Sequence, residues 1–227
     1  MKEIGSMNKE HYDEEYFADK DSLPQHILMT LEEIIESNKY ANILEIGCGT
    51  GRLLKALMKN GRAVAGCDIS LDAAKRAEAI VANAEMLPYK EGSFDLLIGI
   101  SVIEHLREED AKRFFDEAKR LLRKGGALFL VTPNFSSPMR TIKGDKWFGY
   151  SDPTHVKFYT PESLDYKLAE NGFINIETTF KLKDYPDFDW GLPFKVPRFL
   201  SRFFSWLLIS TPLALFRDSF WIMAKVR

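Results

Sequence analysis

The run Ile43-Leu44-Glu45-Ile46, followed by Gly47-Cys48-Gly49-Thr50-Gly51 and then Arg52-Leu53-Leu54, constrains this chain more than any other stretch. The apolar run reads as a buried strand, and three glycines at alternate positions end it in a tight turn that opens a helix. Glycine permits positive φ there and removes the side chains that would block close approach to the main chain. Free N–H groups at the start of the helix favour a carboxylate or a phosphate. Alone, the motif is compatible with a seat for a nucleotide-like ligand or with a mere strand-to-helix turn.

The next segments of the chain narrow the choice. About 17 residues after Gly51, Ala63-Val64-Ala65-Gly66-Cys67 is an apolar run that ends in Asp68, with Ser70 placed to cap the next helix. An acid at the carboxyl end of a second strand can accept hydrogen bonds from both hydroxyls of a ribose, or it can serve as a turn acid. Ile80-Val81-Ala82 gives a short third strand before the turn Asn83-Ala84-Glu85, and Ser93 to Ser101 gives a fourth. Pro24 to Ile35, Ala111 to Leu122 and Pro161 to Phe173 show helical periodicity, the last with Pro at its start and Asn171-Gly172 at its end. Strand and helix alternate without an internal repeat, which predicts a doubly wound α/β fold on a mostly parallel sheet.

In this order, Glu45-Ile46-Gly47-Cys48-Gly49-Thr50-Gly51, Asp68, Asn83-Ala84-Glu85-Met86-Leu87-Pro88 before Ser93-Phe94-Asp95, and Val102-Ile103-Glu104-His105-Leu106 resemble the class I S-adenosylmethionine-dependent methyltransferases. Leu121 to Asn134 looks like that family's helix, Gly-Gly turn and fifth strand. The resemblance covers roughly residues 40 to 180. It implies a seven-stranded Rossmann-like sheet, closed by Phe173 to Lys183 and Phe220 to Val226 with an antiparallel edge strand. It also implies S-adenosylmethionine as cofactor and S-adenosylhomocysteine as product. Gly47, Gly49 and Gly51 would pass under the methionine part, and Glu45 would help fix the loop and the ammonium. Asp68 would take the ribose hydroxyls, Ile69 would face the adenine, and Asn83 and Ala84 would read it. Many relatives carry Asp where this chain has Asn83, whose carbonyl oxygen can still accept. Ile100 and Ser101 would border the methyl being transferred.

Methyl transfer asks mainly for placement and exclusion of water, and a hydroxyl acceptor also needs a base. His105 and His155 are the candidates, since histidine titrates near neutrality. The alternative for His105 is a structural hydrogen bond. Some quinone-type O-methyltransferases carry a carboxylate three residues before the Glu-His pair and gather a metal there. Ser101 stands at that position here, so no metal is assigned. The expected reaction moves a methyl to oxygen or nitrogen, with carbon the lesser candidate, on a small acceptor of aromatic or lipid-like character. A nicotinamide-dependent oxidoreductase is the competing reading, but Gly-Cys-Gly-Thr-Gly is not the Gly-x-Gly-x-x-Gly of the dinucleotide fingerprint. A noncatalytic cofactor-binding subunit is the third.

Composition sets the bounds. At 227 residues the chain can bury a real core, and it is expected to form one domain with an N-terminal helical cap (1–40) and substrate-side additions (135–160 and 184–217). A net charge of −2 gives no hint of a nucleic-acid surface. Cys48 and Cys67 fit no metal spacing and suit a reducing cytoplasm, and Met1 to Asp21 is too charged for a secretory signal. Arg198 to Arg217 is intensely apolar, yet the uncharged stretch between Arg202 and Arg217, about 14 residues, is shorter than the roughly 20 that span a bilayer. It reads as a helix packed on the core or a partner subunit, a lid over a hydrophobic acceptor, or a patch resting on a membrane, flanked by Lys195, Arg198 and Arg202. Oligomeric state is not legible.

Overall fold

The computed structural model describes residues 25–58, 61–179, 196–210 and 217–227. In chain order the elements are α1 (Gln25–Asn38), β1 (Asn42–Ile46), α2 (Arg52–Met58), β2 (Ala63–Asp68), α3 (Leu71–Ala77), β3 (Ile80–Val81), β4 (Phe94–Ile100), a 3-10 turn (Ile103–His105) and α4 (Glu108–Leu121). Next come β5 (Leu122–Pro133), α5 (Pro138–Lys143), a second 3-10 turn (Gly144–Lys146), α6 (Phe148–Ser151), α7 (Pro161–Glu170), β6 (Ile174–Thr179), α8 (Arg198–Ser210) and β7 (Ser219–Lys225). Among these residues the strands form one seven-stranded sheet in the order β3-β2-β1-β4-β5-β7-β6. β1 to β5 pair in parallel, while β7 runs antiparallel to both β5 and β6.

The sheet is apolar on both faces because alternate side chains of each inner strand feed different cores. Leu44, Leu97, Leu128, Leu130 and Ile222 pack with Phe114, Phe115 and Ala118 of α4 and Leu164 and Leu168 of α7. Ile43, Leu96, Ile98, Phe129 and Trp221 pack on the other face with Ile27, Leu31 and Ile35 of α1 and Leu53 and Leu57 of α2. The doubly wound α/β architecture expected from the alternation is therefore present. The chain departs from β1 toward β2 and β3 on one side and returns to β4 on the other, so a crevice opens at the carboxyl ends of β1 and β4. Register keeps those ends level, with Ile46 beside both Cys67 and Gly99. Asp95 lies at the opposite edge, where one carboxylate oxygen accepts the N–H groups of Ala41 (2.7 Å) and Asn42 (3.0 Å) and the other pairs with Arg123 (2.7 Å). Its work is to hold β1 in place.

Two details differ from expectation. The glycine pair 125–126 lies within the span of β5 rather than ahead of it, because β5 begins directly at the end of α4. Four residues, Arg123 to Gly126, lie between the partner of Phe94 and the partner of Leu96, and Gly125 takes φ +75° within that bulge. Second, the antiparallel strand is not the edge. β7 slots between β5 and β6, and β6 ends the sheet.

α7 has the start the sequence promised: Thr160 and Ser163 form a reciprocal capping box with Pro161 in the first turn. Of the apolar C-terminal run, Arg198–Ser210 is helical, with Ser201 buried and Phe199, Leu200, Phe203 and Trp206 exposed. No helix among the described residues is long and apolar enough to cross a membrane. The N-terminal 24 residues, the expected continuation of β6 through Lys183, most of the Asp184 to Pro197 loop and residues 211–216 lie outside the described residues.

Candidate active site

The glycine turn joins β1 to α2 at the crevice. The Cys48 N–H donates to Cys67 O (3.0 Å), which carries the parallel pairing one step beyond β1, and the chain then turns through Gly47 (φ +68°), Gly49 (+51°) and Gly51 (+78°). The demand for glycine comes partly from the chain itself. A Cβ on Gly47 would lie 2.7 Å from Cγ2 of Val102, and one on Gly51 would lie 2.7 Å from Cβ of Ala77. Asp68, at the end of β2 and buried, faces this loop. Its Oδ2 accepts the Gly49 N–H (2.8 Å) and its Oδ1 the Ser70 N–H (2.8 Å), and the Ile69 N–H also favours its charged form, while Ser70 caps α3 by accepting from Ala73. Burial raises the pKa of Asp68 and those backbone donors counter it.

Glu45, on β1, is buried, and its Oε2 has no hydrogen-bond partner. Burial pushes its carboxyl up to about 8; the Leu54 N–H opposes the rise and the charge of Asp68 adds to it. An orphaned buried carboxylate beside a glycine turn fits a cationic guest. Ile69 is half-buried, Asn83 exposed and Ala84 buried at the next loop along, where Asn83 Oδ1 accepts the Glu85 N–H (3.3 Å). Ile100 closes β4, and Ser101 follows with φ +53°, its N–H on Val131 O (2.9 Å). Every residue expected to hold the cofactor thus borders the carboxyl edge of β1 to β4. Burial pushes both thiols up, that of Cys67 to about 12, so neither supplies a thiolate nucleophile.

The two histidines come together from distant segments. His105 ends the 3-10 turn after β4, and His155 lies in the loop after α6; their rings meet edge to face with centroids 4.7 Å apart. That loop is fastened from below, since Glu104 O accepts the N–H groups of both Val156 and Lys157 (3.0 Å each), and Phe135 N–H reaches Tyr159 O (2.9 Å). His155 Nδ1 lies 2.7 Å from Gly149 O, a carbonyl that can only accept, so the proton sits on Nδ1 and Nε2 carries the lone pair. His105 Nδ1 lies 3.0 Å from Thr154 Oγ1 and 3.3 Å from Thr154 O, and the Thr154 hydroxyl itself donates to Asp152, so the same tautomer is favoured. Glu104 is fully buried; Oε2 accepts the Thr132 hydroxyl (3.0 Å) and Oε1 has no hydrogen-bond partner. Burial lifts its carboxyl to about 7.

Several contributors carry no signal in the sequence. Thr132, Asp152 and Thr154 orient the acid and the imidazoles, and the bridge from Asn134 to Tyr159 helps bring their segments into register. An aromatic group also lies beside His155. Phe158 stacks on Phe135 (5.3 Å) and meets Tyr150 edge-on (5.4 Å), and Trp147, wholly buried, donates from Nε1 to Asp218 (2.9 Å). The Arg140 guanidinium lies 4.2 Å above the Phe135 ring. Aromatics scattered without periodicity over residues 135–158 announce no common cluster.

Comparison with known proteins agrees with this geometry. A family model described as a methyltransferase domain matches residues 12–178. An uncharacterized protein of Methanocaldococcus jannaschii is 35% identical over 144 residues, 60% of this chain and 66% of that protein. A ubiquinone biosynthesis O-methyltransferase of Pelagibacter ubique is 31% identical over 143 residues, 56% of this chain and 58% of the relative. The chain spans about three fifths of the length of these curated relatives. Among solved structures, a SAM-dependent methyltransferase from Archaeoglobus fulgidus shares the fold with a TM-score of 0.67 at 21% identity, over 94% of this chain and 100% of that one.

Proposed function

This chain belongs to the class I S-adenosylmethionine-dependent methyltransferases, and on that premise we propose that it methylates a hydroxyl oxygen of a small, apolar acceptor, with His155 as the base. The observation that carries the reading is the histidine pair at the crevice, each ring with its proton held on Nδ1, which makes Nε2 the acceptor. An amine acceptor can shed its proton to water, whereas a hydroxyl needs a base within reach. Relatives named as ubiquinone biosynthesis O-methyltransferases support oxygen as the acceptor atom. The aromatic group of Phe135, Tyr150 and Phe158 supports an apolar partner, since aromatic faces recognise flat, apolar groups.

The residues at the crevice fit the cofactor. The unpartnered Glu45 Oε2 suits the ammonium of the methionine part, and the Asp68 carboxylate suits the ribose hydroxyls as acceptor. Ile69 offers an apolar face for adenine, with Asn83 and the Ala84 N–H as its polar readers. Gly47, Gly49 and Gly51 let the methionine part lie against main chain, and Ile100 and Ser101 border its far end. When bound, S-adenosylmethionine supplies a methyl on a sulfonium, an electrophile that needs no further activation. His155 then has one task, to take the acceptor's proton at Nε2 as the oxygen attacks. His105 steadies that imidazole edge-on, and Phe158 helps keep water from it.

The test is transfer of labelled methyl to matched phenols, alcohols and amines. Phenols or alcohols are expected to be methylated, and His155→Ala is expected to lower kcat by about 10²- to 10⁴-fold while leaving S-adenosylhomocysteine affinity unchanged. Transfer to amines alone, or full turnover in the variant, would remove the base from the reading.

A further inference from the structure

Glu104, His105 and His155 each bring a donor atom to one place: the three atoms lie within 4.8 Å of one another, and none of the residues is exposed. We propose that this trio binds a divalent transition-metal cation of the Mn²⁺, Co²⁺ or Zn²⁺ kind. The site goes beyond the base reading: with a cation bound the His155 nitrogen is a ligand, and in the cation-free protein it can take the acceptor's proton.

Three observations carry it. The first is the unpartnered oxygen. Glu104 is wholly buried, with the Thr132 hydroxyl on Oε2 and the Ser101 hydroxyl also beside the carboxylate, yet Oε1 has no hydrogen-bond partner, and a buried orphan oxygen of that kind is costly unless something fills the gap. The second is the tautomers. Gly149 O and Thr154 hold the Nδ1 protons of the two rings, the outer-shell arrangement that turns imidazole nitrogens toward a metal and raises their basicity. The third is spacing. Ligands about 2.1 Å from one ion lie at most about 4.2 Å apart, so the donors need only small side-chain rotations to close on a common centre.

The donor set selects the ion. Two imidazole nitrogens and one carboxylate suit Mn²⁺, Fe²⁺, Co²⁺ or Zn²⁺, whereas Mg²⁺ and Ca²⁺ prefer oxygen throughout. Three protein ligands also leave coordination positions open, as in sites that polarise a bound oxygen. Ser101, three residues before the Glu-His pair, brings no carboxylate, but that does not empty the site. His155 arrives from a loop some fifty residues later and supplies a donor in its place.

The experiment uses the whole chain without cofactor or acceptor. Mn²⁺ titration followed by electron paramagnetic resonance, and Zn²⁺ titration by calorimetry, are expected to show one saturable site in wild type. Glu104→Gln and His155→Ala should each weaken it at least tenfold, with circular dichroism verifying that both variants fold. Absence of saturable binding, or equal binding in both folded variants, overturns the proposal. The base reading is tested separately: if wild type binds no cation but His155→Ala still loses turnover, the imidazole acts as base. If neither metal-loaded nor chelated protein methylates any hydroxyl, that reading fails while the cation site stands on its titration.

Discussion

At the scale of single residues, the informative groups are acids taken out of water. Asp68 does two things at once, holding the Gly49 and Ser70 N–H groups while offering its carboxylate to a ligand as acceptor. Asp68→Ala should therefore weaken S-adenosylhomocysteine binding, each lost charge-assisted hydrogen bond being worth about 1.5–3 kcal/mol, and also lower the melting temperature. Calorimetric titration reads the first effect, and unchanged affinity would mean that the ribose is held elsewhere. Glu45 and Glu104 give a pH signature. Their carboxyls sit at about 8 and about 7 in the folded protein against an ordinary value of 4.5, so the folded state binds more protons than the unfolded chain between those limits. The stability they allow is complete below the unfolded pKa and is lost as pH rises through the folded values. Ligand-free protein should melt at a lower temperature near pH 8.5 than near pH 5.5, and Glu45→Gln should recover part of the difference, on the order of a few kcal/mol. A flat profile would mean that Glu45 has a charged partner. Asp68, Glu45 and the glycines were legible because each stands at a fixed place beside a strand end. Thr154 was not, since nothing in Asp152-Pro153-Thr154 indicates that its hydroxyl orients a ring 49 positions earlier.

Among elements, α6 shows how a four-residue helix can govern a site. Gly149 supplies the carbonyl that fixes His155, and a Cβ there would collide with the Trp147 ring, which is itself locked to Asp218. Gly149→Ala is expected to cost about 1–3 kcal/mol in stability and to reduce kcat more than cofactor affinity, a division that steady-state kinetics with calorimetry would reveal. The opposite behaviour is expected of α8. Phe199 is 71% exposed and Phe203 52%, so serine at either position should change stability by no more than about 0.5 kcal/mol. A larger loss on thermal unfolding would show that this face is covered in solution. Helical periodicity made α1, α4 and α7 readable from sequence, since each sets one apolar stripe against the sheet. The extent of β5 was harder: a charged, glycine-containing bulge interrupts its pattern, and pairing with β4 and β7 resumes only from Ala127 on.

For the molecule as a whole, the two cores share the sheet, so a change on one face is felt through the strands of the other. Phe129, wholly buried beneath α1 and against Trp221, should cost about 3–5 kcal/mol when replaced by alanine. Denaturant unfolding would measure it, and a cost below about 1 kcal/mol would mean the surrounding core closes the cavity. Strand alternation disclosed the doubly wound plan, but the sequence pattern was silent on β7 entering one place in from the edge, because insertion between β5 and β6 is a matter of long-range pairing. That position has a consequence for synthesis on the ribosome. Chains emerge from the N-terminus, and domains fold in that direction. β6 pairs only with β7 among the described residues, and the far side of β5 faces β7 as well, so both wait with open hydrogen-bonding edges until Ser219–Lys225 has been made. An unpaired edge is an invitation to neighbouring chains. A nascent chain halted before residue 219 would carry the whole glycine crevice yet still be vulnerable to aggregation.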